Sequence, residues 1–275
     1  MDARKRLEAL AGTPAGGRSL AEAALWIAAE EYPGLDVLAW LARLDGLGLA
    51  AAERVTPALD ADGTAVALNR LLFEEQGFRC NRDDYYDPRN SFLNDVLERR
   101  LGIPITLSVV YIAVAAGAGV TVRGVGLPGH FLVQLEHHGE TRLLDPFNDG
   151  RCLDEADCRE LVRQVHGESA RLDARHLRPV TTREILIRML TNLKGVYVAL
   201  GDWRCALAAV DRLLLLAPEA AGELRDRGGL YVKLGRAHEA VRDWDAYLRR
   251  APDAPDAEPV RRQLRALRQA LAALN

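Results

Sequence analysis

The chain has 275 residues, of which 49% are hydrophobic and 27% charged, and its formal net charge at pH 7 is −3. This is the composition of an ordinary globular protein that is long enough for two domains. The small negative charge argues against a dedicated nucleic-acid binder, and no apolar run reaches membrane-spanning length. We therefore expect neither nucleic acid nor a membrane among its partners.

The first residues and the cysteines indicate the compartment. Residues 1–18 lack the apolar stretch of a secretory signal peptide. The cysteines are too few and too irregularly spaced for a disulfide framework or a paired zinc motif. They are Cys80, Cys152, Cys158 and Cys205. We expect a cytoplasmic protein that holds no metal and no other cofactor.

The N-terminal part, residues 1–60, is predicted to be helical. Ser19 can cap a first helix that Pro33 ends, and Asp36 can open a second helix with one stripe of leucines. These helices are expected to belong to the core of the protein.

A polar loop follows, from Glu74 to Gly102. Its Gly, Tyr, Asn and Asp residues predict an ordered, turn-rich segment, and Ser91 can cap the short helix after it. Ordered polar loops often line binding sites, so Asn81, Tyr85, Asn90 and Ser91 are candidate binding residues. The alternative is that these side chains only fix the shape of the loop.

A buried helix over residues 107–119 precedes three short strands. The helix is apolar almost all round, so it should lie centrally beneath a sheet. The strands are predicted over residues 120–126, 129–136 and 141–145. A helix followed by antiparallel strands predicts an α+β core over residues 61–180.

The last two strands carry His130 and Asp145. A hairpin turn at His138-Gly139 would place residue 130 opposite residue 147. Asp145 then lies on the same face as His130 and diagonal to it, about 7–8 Å away along the backbone. A histidine oriented by a carboxylate is two thirds of a nucleophilic triad, and the sequence does not make the third member evident.

The C-terminal part, residues 181–275, contains an internal repeat. Shifted by 34, residues 195–218 match residues 229–252 at ten of 24 positions, including Gly195 with Gly229. Each unit has the pattern helix, turn, helix, proline, and 34 is the tetratricopeptide period. Two units need neighbours, so a helix over 259–274 is expected to cap them. The repeats either bind a protein or peptide or serve only for packing.

The chain also resembles a known family. The motifs NSFLNDVLERRLGIPITLSVVYIAVA, GVGLPGHFLV and LLDPFNDG look like the SirB-type branch of the transglutaminase-like superfamily. The resemblance covers residues 19–252. It implies a papain-like core with a small antiparallel sheet and a central helix, followed by all-α tetratricopeptide repeats.

The resemblance implies roles for individual residues. His130 matches the catalytic histidine of the superfamily, and Asp145 matches the acid that orients it. The nucleophilic cysteine belongs near the N-terminus of the central helix, where Pro104 stands in this chain. This departure puts the superfamily's thiol chemistry in doubt.

Three hypotheses follow from these observations. In the first, which we favour, the chain is a non-catalytic or regulatory pseudoenzyme whose repeats bind a protein or peptide. In the second, it is a hydrolase or acyltransferase in which His130 activates Ser108, Thr106 or Cys80. In the third, the site binds a ligand or a metal without turning it over, and the spacing of the histidines and cysteines makes the metal the weaker choice.

Overall fold

The computed structural model describes residues 2–13 and 16–273. The chain divides into two compact units, Met1–Met189 and Leu190–Asn275. Residue 274, the last of the predicted capping helix, lies outside the described residues. Within the described ranges no helix is both long and apolar enough to cross a membrane. The finer division at residues 60 and 180 stays a prediction.

Helices make up most of the first unit. They are α1 (Ala3–Ala11), α2 (Gly17–Glu31), α3 (Val37–Ala52), α4 (Ala61–Asn69), α5 (Leu93–Arg99), α6 (Pro104–Gly117) and α7 (Glu155–His166). A π-helical turn, Arg70–Glu75, continues α4. A further helix, α8 (Thr182–Leu200), begins in this unit, and the boundary between the units falls within it.

The strands of the first unit form two sheets. They are β1 (Arg79–Cys80), β2 (Leu101–Gly102), β3 (Thr121–Leu127), β4 (His130–His137), β5 (Glu140–Asp145) and β6 (Arg151–Leu153). The last four form an antiparallel sheet in chain order, and β1 pairs in parallel with β2. The predicted α+β core with a small antiparallel sheet is confirmed.

The central helix is α6, which contacts α2, α3, β3 and β4. Glycines let the neighbouring helices approach its backbone. A Cβ on Gly117 would lie 2.5 Å from Cα of Gly48 in α3, and a Cβ on Gly17 would lie 2.6 Å from the Ile112 carbonyl oxygen. The helix begins at Pro104, earlier than predicted, because proline is well suited to the first helical position.

Two predicted helix caps are wrong. The helix assigned to Ser19 begins at Gly17, and the Ser19 hydroxyl donates to the Gly16 carbonyl at 3.0 Å. The close packing of Gly17 on α6 explains the earlier start. Ser91 has helical backbone angles and closes a short 3₁₀ turn, whereas the extended residue that caps α5 is Phe92.

The second unit is a stack of helices. After α8 come α9 (Trp203–Leu216), α10 (Ala221–Lys233), α11 (Ala237–Arg250) and α12 (Ala257–Ala273). Gly201 and Gly235 follow α8 and α10 with φ of 73° and 71°, so glycine ends the first helix of each predicted repeat. Trp244 packs on the backbone of Gly228, where a Cβ would lie 2.4 Å from the indole. The predicted helix–turn–helix repeats are confirmed.

Candidate functional site

The hairpin of β4 and β5 places the His–Asp pair. Its register pairs His137 with Glu140, and His138 and Gly139 have φ of 50° and 80°, as a two-residue type I′ turn requires. This is the predicted register. His130 Nε2 lies 2.9 Å from Asp145 Oδ2. The His130 side chain is 10% exposed and the Asp145 side chain 1%.

Asp145 is held by further donors. Its Oδ1 accepts the backbone N–H of Phe147 at 3.0 Å, and its Oδ2 accepts the Asn148 amide at 2.7 Å. Burial by itself raises the pKa of Asp145, but the hydrogen bonds from His130, Asn148 and the Phe147 N–H outweigh it, so the pKa is lowered. Because the carboxylate is then charged at neutral pH, His130 Nε2 is the donor in the pair.

The polar loop reaches the pair through Arg82 and Tyr85. Arg82 donates to the side-chain oxygen of Asn148 at 2.6 Å, and its guanidinium lies 5.0 Å from the Phe147 ring centroid. The Phe147 ring makes edge contacts with the rings of His130 and Tyr85, with centroid distances of 5.8 Å and 6.3 Å. Arg82, Phe147 and Asn148 were not among the predicted site residues. In the sequence, the one hint was position: Arg82 belongs to the polar loop, and Phe147 and Asn148 closely follow Asp145.

The other predicted loop residues bond mainly within the loop. The Asn81 amide donates to Asn90 Oδ1 at 3.0 Å, and the Asn90 amide donates to the Asp84 carbonyl at 2.7 Å. Ser91 is 2% exposed, and its N–H donates to the Pro88 carbonyl. The structure therefore places Tyr85 against the Phe147 ring, which lies beside His130, while Asn81, Asn90 and Ser91 fix the loop. Their role in binding stays a prediction.

The Thr106 and Ser108 hydroxyls of α6 are engaged by backbone groups. Thr106 Oγ1 donates to the Asn90 carbonyl at 2.8 Å and accepts the Ile103 N–H at 3.1 Å. Ser108 Oγ donates to the Pro104 carbonyl at 2.8 Å, and both side chains are 0% exposed. Each hydroxyl proton is thus held by a carbonyl oxygen, and neither hydroxyl donates to His130. Their assignment as nucleophiles stays a prediction.

Cys80 lies near the start of the same helix. It pairs with Gly102 across β1 and β2, and α6 begins two residues further on at Pro104. Its side chain is half-buried and not in a disulfide. Strand β1 also contacts the turn Pro146–Asn148 that follows Asp145. The structure therefore brings the strand that carries Cys80 to the neighbourhood of the His–Asp pair.

Arg188 of α8 holds the N-terminal end of β4, where His130 lies. Its Nη2 donates to the carbonyls of Leu127 and His130 at 2.7 and 2.6 Å. These residues flank the turn Pro128-Gly129, where Gly129 has a φ of 71°. Burial lowers the pKa of Arg188 from its usual value. A largely desolvated guanidinium on two carbonyls fixes the strand end that carries His130, and sequence reasoning missed it.

The second unit contains a groove formed by α8, α10 and α12. Its volume is about 570 Å³. The residues that line it are Lys194, Gly195, Val198, Trp203, Arg225, Asp226, Gly229, Leu230, Lys233, Trp244, Asp256, Pro259, Val260 and Gln263. The predicted capping helix thus supplies the third wall of the groove.

Two glycines at equivalent repeat positions lie in this groove. A Cβ on Gly195 or on Gly229 would meet nothing within 4 Å. A glycine inside a helix costs about 1 kcal/mol relative to alanine, and no close packing requires one at either position. The adjacent Gly228 differs, because Trp244 packs against it. The paired glycines keep the groove open at a cost in stability.

Comparison with known proteins identifies the family. A family model for the transglutaminase-like superfamily matches residues 39–191, and a tetratricopeptide-repeat model matches residues 193–265. A UPF0162 protein of Xylella fastidiosa strain Temecula1 is 40% identical over 252 residues, which cover 89% of this chain and 88% of the relative. The chain belongs to the UPF0162 family of the transglutaminase-like superfamily.

Further UPF0162 relatives match over a similar extent. A UPF0162 protein of Pseudomonas aeruginosa is 36% identical over 85% of this chain and 84% of its own length. The UPF0162 protein YchA of Escherichia coli K12 is 28% identical over 85% of this chain and 86% of its own length. No solved structure gives a significant match. The predicted transglutaminase-like core with C-terminal tetratricopeptide repeats is confirmed, and the SirB-type branch stays a prediction.

Proposed function

We propose that this protein is a non-catalytic peptide-binding protein that holds a segment of a partner protein in the groove of α8, α10 and α12. Tetratricopeptide repeats generally mediate protein–protein interactions, and the family model for these repeats matches residues 193–265, which include every residue that lines the groove. The observation that carries the proposal is the pair Gly195 and Gly229. Both leave open space in the groove, and neither has a close packing partner that would explain a glycine.

The first unit acts in this proposal as a folded scaffold. The resemblance to the superfamily places Pro104 at the position of the nucleophile, and the hydroxyl protons of Thr106 and Ser108 are engaged by carbonyl oxygens. The His130–Asp145 pair then holds the end of β4 and the following turn together. A cytoplasmic location and the absence of nucleic-acid and membrane partners remain part of the proposal.

Filling the groove tests the proposal. A random peptide library is displayed against the full-length chain, and the selected peptides are titrated against a Gly195→Leu/Gly229→Leu variant. We expect each substitution to raise stability by about 0.5–1 kcal/mol, because leucine is the better helix former. Peptide affinity should nevertheless fall about tenfold or more, because the leucines overfill the groove.

The matched control is Gly46→Leu. Gly46 lies inside α3, where a Cβ would also meet nothing within 4 Å, and it does not line the groove. This variant should bind the selected peptides like the wild type. Equal binding by the double variant, or no selected peptide at all, would refute groove binding.

A second candidate function is acyl transfer with Cys80 as the nucleophile. It is favoured by the pairing of Cys80 with Gly102, close to the N-terminus of α6, where a helix dipole stabilises a thiolate. Alkylation by iodoacetamide separates the two functions, with the exposed Cys152 as the internal reference. A non-catalytic core predicts that His130→Ala leaves the relative alkylation rate of Cys80 unchanged. A drop of about tenfold would support the enzyme.

A further inference from the structure

Most charges that line the groove have partners. Lys194 of α8 bonds Glu223 at 2.8 Å and Asp226 at 2.9 Å. Arg225 bonds Asp226 at 2.6 Å and also Asp256. These pairs join α8 to α10, and α10 to the segment before α12. They leave little net charge at that end of the groove and stabilise its walls.

Lys233 is different. It is exposed, and within the parts of the chain that the structure describes no carboxylate forms an ion pair with it. Its ammonium lies 5.6 Å from the Trp203 ring centroid. Val198, which is 42% exposed, lines the same groove. The groove therefore presents an uncompensated cation together with apolar surface.

The spacing along α10 sets the size of the segment that fits. Asp226 and Lys233 are seven residues apart, which is a rise of about 10 Å along the helix. An extended chain covers that distance in about three residues. Gly229 lies between them and presents bare backbone, so a peptide main chain can approach closely there.

Building on the proposed function, we propose that the groove selects an extended segment of a partner protein in which an acidic residue stands beside a large apolar one. The carboxylate pairs with Lys233, and the apolar side chain packs on Trp203 and Val198. The peptide backbone crosses Gly195 and Gly229. Lys194 and Arg225 are already taken up by Asp226 and Asp256. Among the groove residues that the structure describes, Lys233 is then a single free cation, which suits one carboxylate better than the row of phosphates along a nucleic acid, so we take a peptide as the occupant.

Two matched probes test this charge preference. Fluorescein-labelled peptides with the sequences GLEWELG and GLKWKLG share their apolar residues and differ only in charge. Fluorescence anisotropy with the full-length chain should show the acidic probe binding at least about threefold more tightly, since an exposed ion pair and the opposing like-charge contact each contribute modestly. Lys233→Glu should reverse the order of the two probes.

Lys5→Glu is the control, because Lys5 is exposed in α1 and the substitution changes the net charge equally. It should leave the preference unchanged. If Lys5→Glu reduces the preference as much as Lys233→Glu does, the effect is one of overall charge and the inference fails. It fails as well if the wild type binds both probes equally or neither of them.

The outcomes separate this inference from the proposed function. If peptides selected without bias bind in the groove and lose affinity on Gly229→Leu but carry no acidic residue, groove binding stands and the acidic partner is refuted. If the acidic probe binds to Gly229→Leu as tightly as to the wild type, both groove binding and the acidic partner are refuted. Competition of a single-stranded oligonucleotide for the groove would also overturn the choice of a peptide.

Discussion

Asp145→Ala is expected to destabilise the first unit by about 3 kcal/mol. The carboxylate is 1% exposed and accepts from three donors. These are His130 Nε2 at 2.9 Å, the Asn148 amide at 2.7 Å and the Phe147 N–H at 3.0 Å. Alanine leaves all three without an acceptor in a buried site. Urea unfolding at pH 7, followed by circular dichroism, measures the loss.

The control is Asp62→Ala, which removes an exposed carboxylate bonded to Arg142. It should change the unfolding midpoint little, because exposed ion pairs contribute little. If Asp145→Ala unfolds at the same urea concentration as the wild type, the His–Asp pair does not stabilise the core as described.

The same pair gives a pH dependence. The pKa of Asp145 is lowered in the folded protein, from about 3.9 in an unfolded chain. Because the pKa of Asp145 is lower in the folded protein, its stabilising effect is fully present above the pKa that it has in the unfolded chain. The effect is lost as the pH falls through the pKa that it has in the folded protein. Asp145→Ala should therefore flatten the decline of stability below about pH 4. An unchanged slope would contradict the assignment.

Gly117→Ala is expected to cost about 3 kcal/mol, at the upper end of overpacking effects. Its new Cβ would lie 2.5 Å from Cα of Gly48 and 3.1 Å from its carbonyl carbon. Both atoms are backbone, so relief requires that α3 and α6 move apart. Because α6 is the central helix, the displacement would disturb the packing around it.

Gly46→Ala serves as its counterpart. This glycine is also helical, but a Cβ there meets nothing, so alanine should stabilise by about 1 kcal/mol. Urea unfolding of the two variants should shift the midpoint in opposite directions. If Gly117→Ala is as stable as the wild type, α3 and α6 do not pack backbone to backbone.

The hairpin shows what sequence can predict. A two-residue turn at His138-Gly139 fixes the register of every following pair, so the proximity of His130 and Asp145 follows from counting residues. The repeat shows the same strength, since its 34-residue period alone predicts helix, turn and helix. Both are local features, and local chemistry determines them.

Contacts distant in sequence explain what was missed. Arg188 lies 58 residues after His130 and is nevertheless bonded to its carbonyl oxygen. Gly17 extends α2 toward α6 because of packing, and no local signal at Ser19 reveals this. The Asn81 and Asn90 side chains look like binding groups in sequence, yet they bond each other. Sequence supplies such side chains but not their partners.

The groove was the hardest feature to predict. The match of Gly195 with Gly229 is visible in the sequence, but a repeated glycine can equally mark close packing, as Gly228 does against Trp244. Only the position of α12 shows that these two glycines face an open volume. The function of a small residue depends on what surrounds it.

The most direct test of the proposed function is chemical-shift mapping of a library-selected peptide on the isotopically labelled full-length chain. We expect the largest shifts at the backbone amides of Gly195 and Gly229 and at the Trp203 indole N–H, with saturation at a single affinity. The amides of Tyr85 and His130 should not move. Shifts centred on Tyr85 and His130, with the groove glycines unchanged, would contradict groove binding and assign the function to the His–Asp site.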